Sequence, residues 1–173
     1  IASARAGNVI GGGDWALDRI VPDCVKAWSS EGLVELRNPH STRPWQHGLE
    51  PLSGYLNQAI ALSNKPELHG EPLNFGPQAQ QNHSVLELVK QMALHWDQVK
   101  WKDISGSIEG PYESGLLKLN CDKALHHLNW HGVMGFEDTV RMTAEWYRSY
   151  YENPQTILEI TNQQIDDYTA MAR

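Results

Sequence analysis

Val9-Ile10 runs straight into Gly11-Gly12-Gly13-Asp14-Trp15, and from Ile20 onward the apolar residues Ile20, Val21, Cys24, Val25 and Trp28 recur at helical spacing. A small apolar segment, a glycine run free to take positive φ and a 3.6-residue period predict, in that order, a strand, a loop and a helix. Residues 1–10 read as a short buried strand. The helix over 20–28 has Pro22 where a first turn tolerates it and Gly32 as its stop. This opening commits the chain to an α/β fold. The chain also starts on Ile1-Ala2-Ser3, without methionine, and enters structure at once, so it reads as a cut piece.

Short strands and several helices follow. Residues 33–37 alternate well enough for a strand, and the polar, proline-containing stretch 38–44 reads as the loop that leaves it. A second helix is predicted over 51–62, with Leu52, Tyr55, Leu56, Ala59 and Ile60 on one face. Leu73-Asn74-Phe75, between Pro72 and Gly76, is another short strand. Ser84-Val85-Leu86-Glu87 matches a capping box, in which each end residue satisfies a free backbone donor of the helix that begins there. A weak strand near 99–101, a glycine-rich loop over 105–115, a short helix over 122–128 and a longer one over 137–151 complete the main body. Beyond Pro154, Ile157, Ile160, Ile165 and Tyr168 mark an amphipathic segment that reads as a docked tail helix. The expected division is a lobe over 1–153 and a tail over 154–173.

The 173 residues, 40% of them apolar, suit one core and leave no room for a second full domain. Fourteen Lys and Arg against 21 Asp and Glu give a formal charge of -7, a balance that repels nucleic acid and anionic membrane surfaces. An anionic ligand must then be held by a few placed side chains. Cys24 and Cys121 are too few for a disulfide framework and neither belongs to a CxxC pair, which fits a reducing cytoplasm. No apolar run is long enough to span a bilayer.

Gly11-Gly12-Gly13-Asp14-Trp15-Ala16 formally fits a dinucleotide fingerprint between a strand and a helix. Trp15 stands where the backbone should approach a pyrophosphate, however, and the next strand ends in Leu36-Arg37-Asn38 without the acidic ribose ligand. A loop that needs several positive-φ residues is the default. His126, His127 and His131 have no third partner at zinc-site spacing, and no G-x-S-x-G elbow offers a nucleophile. Arg37 and Thr42-Arg43-Pro44-Trp45-Gln46-His47 are more informative, because the guanidinium fork matches phosphate oxygens and an aromatic neighbour can fix its plane. Asn8 and Asn74 each stand beside glycine near the end of a predicted strand, where an amide can reach a ligand or cap a turn.

Read together, these segments resemble one family over nearly the whole chain. Arg5-Ala6-Gly7-Asn8-Val9-Ile10-Gly11-Gly12-Gly13-Asp14-Trp15 looks like the strand and loop that follow the Tyr-x-x-x-Lys helix in extended short-chain dehydrogenase/reductases. Asp18-Arg19-Ile20-Val21-Pro22-Asp23 resembles the opening of the first substrate-domain helix. The run from Arg37 through Thr42-Arg43-Pro44-Trp45-Gln46-His47 to Leu49-Glu50-Pro51-Leu52-Ser53-Gly54-Tyr55 is most similar to CDP-glucose 4,6-dehydratases. Leu73-Asn74-Phe75-Gly76-Pro77 and Asn129-Trp130 followed by Phe136-Glu137-Asp138 complete the series. The sequence departs from the pattern at Gly48, Tyr112 and Asn120.

The resemblance implies the C-terminal, substrate-binding lobe of such an enzyme, with most of the Rossmann sheet outside it and residues 1–15 as a strand and loop of that sheet. It implies that Asn8 donates to a phosphate oxygen, Arg43 neutralises the diphosphate and Asn74 binds phosphate or nucleoside. Arg19, Val21, Leu36 and Arg37 would form the base and ribose pocket, and Glu113 would be a further substrate position. The expected ligand is a CDP-sugar. Intact relatives use NAD to convert CDP-glucose to its 4-keto-6-deoxy product for deoxysugar and O-antigen precursors. This sequence contains no Tyr-x-x-x-Lys, so the chain alone is expected to be inactive and to bind no NAD. Its expected partners are an N-terminal cofactor domain or a second copy in a homodimer. The alternative is a remnant that acts as an interaction module without enzymatic activity.

Overall fold

A computed structural model describes residues 1–97, 99–106 and 115–173. Strands β1 (Ser3–Ala6) and β2 (Asn8–Ile10) lead to helix α1 (Ile20–Ser29), followed by β3 (Val34–Leu36), β4 (Thr42–Arg43) and β5 (Trp45–His47). Helix α2 (Leu49–Asn64), β6 (Pro72–Phe75), β7 (His83–Ser84), α3 (Val85–Met92) and β8 (Trp101–Asp103) come next. Helices α4 (Asp122–Leu128), α5 (Phe136–Glu152) and α6 (Ile157–Met171) close the chain.

The strands form pairs: β1 with β6, β2 with β5 and β3 with β8 are parallel, and β4 with β7 is antiparallel. Gly7, the single residue between β1 and β2, is where the chain changes partner from β6 to β5. An added Cβ there would lie 3.0 Å from the Pro44 carbonyl oxygen, so the close crossing needs glycine. The main core lies between α1, α3, α5 and the strands β3 and β5. Cys24, Val25, Leu88, Val89, Val140 and Tyr147 are fully buried there.

Several expected elements are present. Ser84 and Glu87 form the capping box reciprocally, and Asn129, at φ 51, ends α4 in the left-handed conformation. The stop after α1 differs in detail. Glu31 takes the positive φ, and Gly32 donates its N–H to the Ala27 carbonyl at 2.7 Å.

Three expectations are corrected. The first strand is not buried: it divides in two, and Ser3, Ala4 and Arg5 of β1 are exposed. β1 is bonded along one edge to β6, and among the described residues no strand adjoins its other edge. The expected loop over 38–44 contains β4, and β5 follows at once. Its polar residues Arg43, Gln46 and His47 are buried, which masked the strand from a hydropathy pattern. Finally, α2 has the expected period but buries the opposite face. Leu52, Leu56 and Ile60 are 54%, 67% and 63% exposed, whereas Glu50, Pro51, Gly54 and Gln58 are buried. The polar members of that face are satisfied inside. Glu50 accepts the N–H groups of Val133 and Met134, and Gln58 donates to the Ser3 carbonyl. Gly54 lets the helix approach the Phe75 ring, which an added Cβ would meet at 2.2 Å.

Candidate functional site

Where β2 ends and α1 begins, a cavity of about 280 Å³ opens beyond the carboxyl end of a parallel strand pair, the usual place for a ligand in an α/β sheet. Asn8 and Gly11 reach it from β2 and its exit, and Arg19 and Val21 from the start of α1. Arg43 and Trp45 come from β4 and β5, Val85 from α3, and Tyr147 from α5. Asp14 and Asp18 border it from the intervening loop.

Local pairing explains these positions. Asn8 is opposite Trp45 in the β2/β5 register, and Arg43 is opposite His83 in β4/β7. Trp45 is buried and donates its indole N–H to the His83 carbonyl at 2.9 Å, joining the two pairs under the cavity. Arg43, also buried, donates from Nη1 to the Thr42 carbonyl at 2.8 Å. The guanidinium is thus held against its own strand while the residue lines the cavity. Arg19 is the extended N-cap of α1 and supplies no side-chain cap; in the first turn Pro22 has no N–H and Asp23 donates to the Arg19 carbonyl at 2.9 Å, which leaves the Ile20 and Val21 N–H groups without an intrahelical acceptor.

Asp18, in the left-handed region at φ 57, turns its carboxylate to Arg37, whose Nη2 lies 3.5 Å from Oδ1. Both side chains are well exposed, so this pair contributes little to stability. Next to the cavity, His47 is buried, and burial pushes its imidazole down to about 4. Its Nδ1 accepts the Leu49 N–H, while Nε2 has no hydrogen-bond partner among the described residues.

The structure brings Asn8, Arg19, Val21 and Arg43 together on one cavity. It does not bring the remaining expected residues there. Leu36 is in the core, 1% exposed. Arg37 stands one contact away, through Asp18. Asn74 lies on β6 and donates to the Asn120 carbonyl at 2.9 Å. Glu113 lies outside the described residues. Sequence reasoning missed Tyr147 and Val85, and read Trp45 only as an aromatic neighbour of Arg43. The period of α5 places Tyr147 on an inward face, but nothing in the sequence connects it to a loop 133 residues earlier.

Loop 11–15 does not fit a dinucleotide. The Trp146 ring covers Gly12 so closely that a Cβ there would lie 2.0 Å from it, and Trp15 packs against Tyr147 and Tyr150. The backbone that would approach a pyrophosphate is therefore already covered by protein. Among the described residues, no three His, Cys, Asp or Glu side chains converge as a metal site.

No family model matches the chain. A CDP-glucose 4,6-dehydratase of Salmonella typhimurium is 39% identical over 169 residues, which are 97% of this chain and 46% of that protein. The chain is thus similar over nearly its whole length to a CDP-glucose 4,6-dehydratase. It spans about half the length of the relative it matches.

Solved sugar-nucleotide enzymes share the fold at low identity. A UDP-glucose 4-epimerase from Stenotrophomonas maltophila, with bound NAD and formylated UDP-arabinopyranose, superposes at TM-score 0.71 and 18% identity, over 86% of this chain and 47% of its own. An NAD-dependent NDP-hexosamine 5,6-dehydratase of tunicamycin biosynthesis gives 0.63 and 21%, over 84% and 45%. A dTDP-glucose 4,6-dehydratase from Bacillus anthracis, in complex with NAD, gives 0.61 and 16%, over 92% and 47%. No described helix of the chain is long and apolar enough to cross a membrane.

Proposed function

We propose that the chain supplies the substrate grip of a CDP-glucose 4,6-dehydratase, the enzyme that forms CDP-4-keto-6-deoxy-D-glucose in the cytoplasm. The observation that carries this reading is the convergence of Asn8, Arg19 and Arg43 with the apolar Val21 on one cavity. A diphosphate needs a few directional partners, and the cavity wall carries the Arg43 positive charge beside the Asn8 amide. Val21 and Val85 offer apolar walls for a base or ribose. At about 280 Å³ the cavity is at the lower end of the roughly 300–1,000 Å³ typical of ligand pockets. That size suits one side of a cleft whose other side is contributed by another part of the enzyme.

In this reading residues 1–153 hold the sugar nucleotide, residues 154–173 buttress them, and the redox chemistry belongs to a cofactor domain that binds NAD. The exposed stripe Leu52, Leu56 and Ile60, with the open edge of β1, is the face that receives that domain. An unpaired parallel edge beside an apolar helix is otherwise an aggregation hazard. The same face favours a second reading, a homodimer that serves as an interaction module. Light scattering across a concentration series separates the two, since only the second makes the chain a stable dimer by itself.

Competition binding tests the ligand class. CDP-glucose and CDP should compete, CMP should compete at least tenfold less well because it lacks the second phosphate, and dTDP-glucose should bind more weakly than CDP-glucose. Equal binding of CMP and CDP would remove the diphosphate reading, and equal binding of the two sugar nucleotides would remove the cytidine preference.

A further inference from the structure

We infer that helices α5 and α6 set the shape of the candidate site by clamping loop 11–15, with Tyr147 as the positioning residue. This inference rests on reading the cavity as the sugar-nucleotide site, and its test is arranged so that the two can fail separately.

Gly11 and Asp14 form part of the cavity wall. The loop that carries them is intrinsically mobile in sequence terms, since three consecutive glycines impose few backbone restrictions and Gly13 sits at φ 85. Its own local bonding is slight, consisting of the Ala16 N–H donating to Asp14 Oδ1 at 2.9 Å. The constraints come from elsewhere. Tyr147 donates its hydroxyl to the Asp14 carbonyl at 2.5 Å, and the Trp15 ring packs against Tyr147 and Tyr150 at centroid distances of 5.2 and 4.9 Å. The Trp146 ring lies so close to Gly12 that it leaves no space for a Cβ. From α1, Lys26 holds the Trp15 carbonyl at 3.0 Å.

The clamp extends to the last helix. The indole N–H of Trp146 donates to Thr161 Oγ1 of α6 at 2.9 Å, and Gln164 of α6 donates to the Met142 carbonyl of α5 at 2.7 Å. Thus α6 fixes the Trp146 ring, the ring fixes Gly12, and Tyr147 fixes Asp14 two residues later. A ligand that meets a loop already held in place avoids the entropic cost of ordering it. The role assigned to the terminal helix is this preorganisation.

The experiment compares wild type, Tyr147→Phe, Thr161→Val and the control Thr143→Val. The control removes a buried hydroxyl of α5 that, among the described residues, bonds the Thr139 carbonyl in its own helix. Each full chain is titrated with CDP-glucose and examined by amide hydrogen exchange over residues 11–15. The expected result is affinity about five- to tenfold weaker for Tyr147→Phe, the equivalent of one lost hydrogen bond. Thr161→Val should weaken it by about two- to threefold, with faster loop exchange in both variants. Thr143→Val should lower the unfolding midpoint while leaving affinity and loop exchange at wild-type values. Wild-type affinity in Tyr147→Phe, or equal weakening in Thr143→Val, overturns the clamp. If wild type binds no CDP-glucose, the substrate reading is overturned, and exchange still decides the clamp: unchanged loop exchange in Tyr147→Phe refutes it.

Discussion

The Tyr168 hydroxyl lies 3.0 Å from Oε2 of Glu50, across 118 residues of sequence, and joins the last helix to the first turn of α2 inside the protein. Glu50 is 2% exposed, and its Oε1 accepts the backbone N–H groups of Val133 and Met134 at 2.8 and 2.6 Å. Ser53 completes the knot by accepting from Trp130 and meeting the Tyr168 hydroxyl. One carboxylate therefore fixes three separate segments. Glu50→Ala should destabilise the chain by about 3 kcal/mol, because the buried Met134 and half-buried Val133 N–H groups lose their acceptor. Glu50→Gln, which keeps an acceptor, should recover most of that loss. Urea denaturation of both variants checks this, and equal losses would show that packing volume rather than hydrogen bonding governs the site.

Acid sensitivity should be traceable to His47. The unfolded chain binds a proton near the usual 6.5, and the folded chain only at about 4, because burial disfavours the charged ring. The stability that the neutral ring contributes is complete above 6.5 and is lost as pH falls towards 4. Glu50 acts in the opposite sense. Burial raises its carboxyl, so its contribution is largest below the ordinary glutamate value and falls as pH rises through the folded value. The variant His47→Asn, which can still accept the Leu49 N–H, isolates the first effect. Between pH 7 and 5 wild type should lose about 1–2 kcal/mol more than this variant in denaturant titrations. Parallel loss in the two proteins would assign the acid sensitivity to other groups.

Gly54 provides a test of packing against propensity. Alanine is the better helix former by about 1 kcal/mol. The Phe75 ring, 2.2 Å from the position a Cβ would take, should nonetheless make Gly54→Ala destabilising by about 2 kcal/mol. A thermal midpoint at or above wild type would mean that α2 and β6 can move apart without loss.

The apolar stripe on α2 should matter for assembly and not for folding. Replacing Leu52, Leu56 and Ile60 with serine should change the unfolding free energy of this chain by less than about 1 kcal/mol per site, since all three are largely exposed. It should abolish association with a separately produced cofactor half of the Salmonella relative, followed by sedimentation velocity. Association that survives the triple substitution would place the docking surface elsewhere.

Much of the architecture was legible in the sequence because it is written in local codes. The period of α1, the Ser84/Glu87 box and the Asn129 helix end each depend on neighbours a few residues away. The burial of α2 was not legible, because a period identifies a stripe and not what will cover it. Leu52, Leu56 and Ile60 look like core residues, while Glu50 and Gln58 are buried only because distant backbone groups complete their hydrogen bonds. The site divides in the same way. Asn8 and Arg43 carry a chemical signature for phosphate, whereas Tyr147 acts through a contact with Asp14 that only the tertiary structure creates. Leu36 and Asn74 were expected at the ligand through resemblance, and the structure occupies them with the core and with Asn120.

On the proposed reading this chain grips a nucleotide diphosphate sugar through Arg43. Titration calorimetry of CDP-glucose into wild type, Arg43→Lys and Arg43→Ala tests it most directly. The account predicts saturable binding by wild type, about tenfold or greater loss in Arg43→Ala, and only partial recovery in Arg43→Lys, whose point charge lacks the bidentate fork. Binding of equal strength in all three proteins would contradict it.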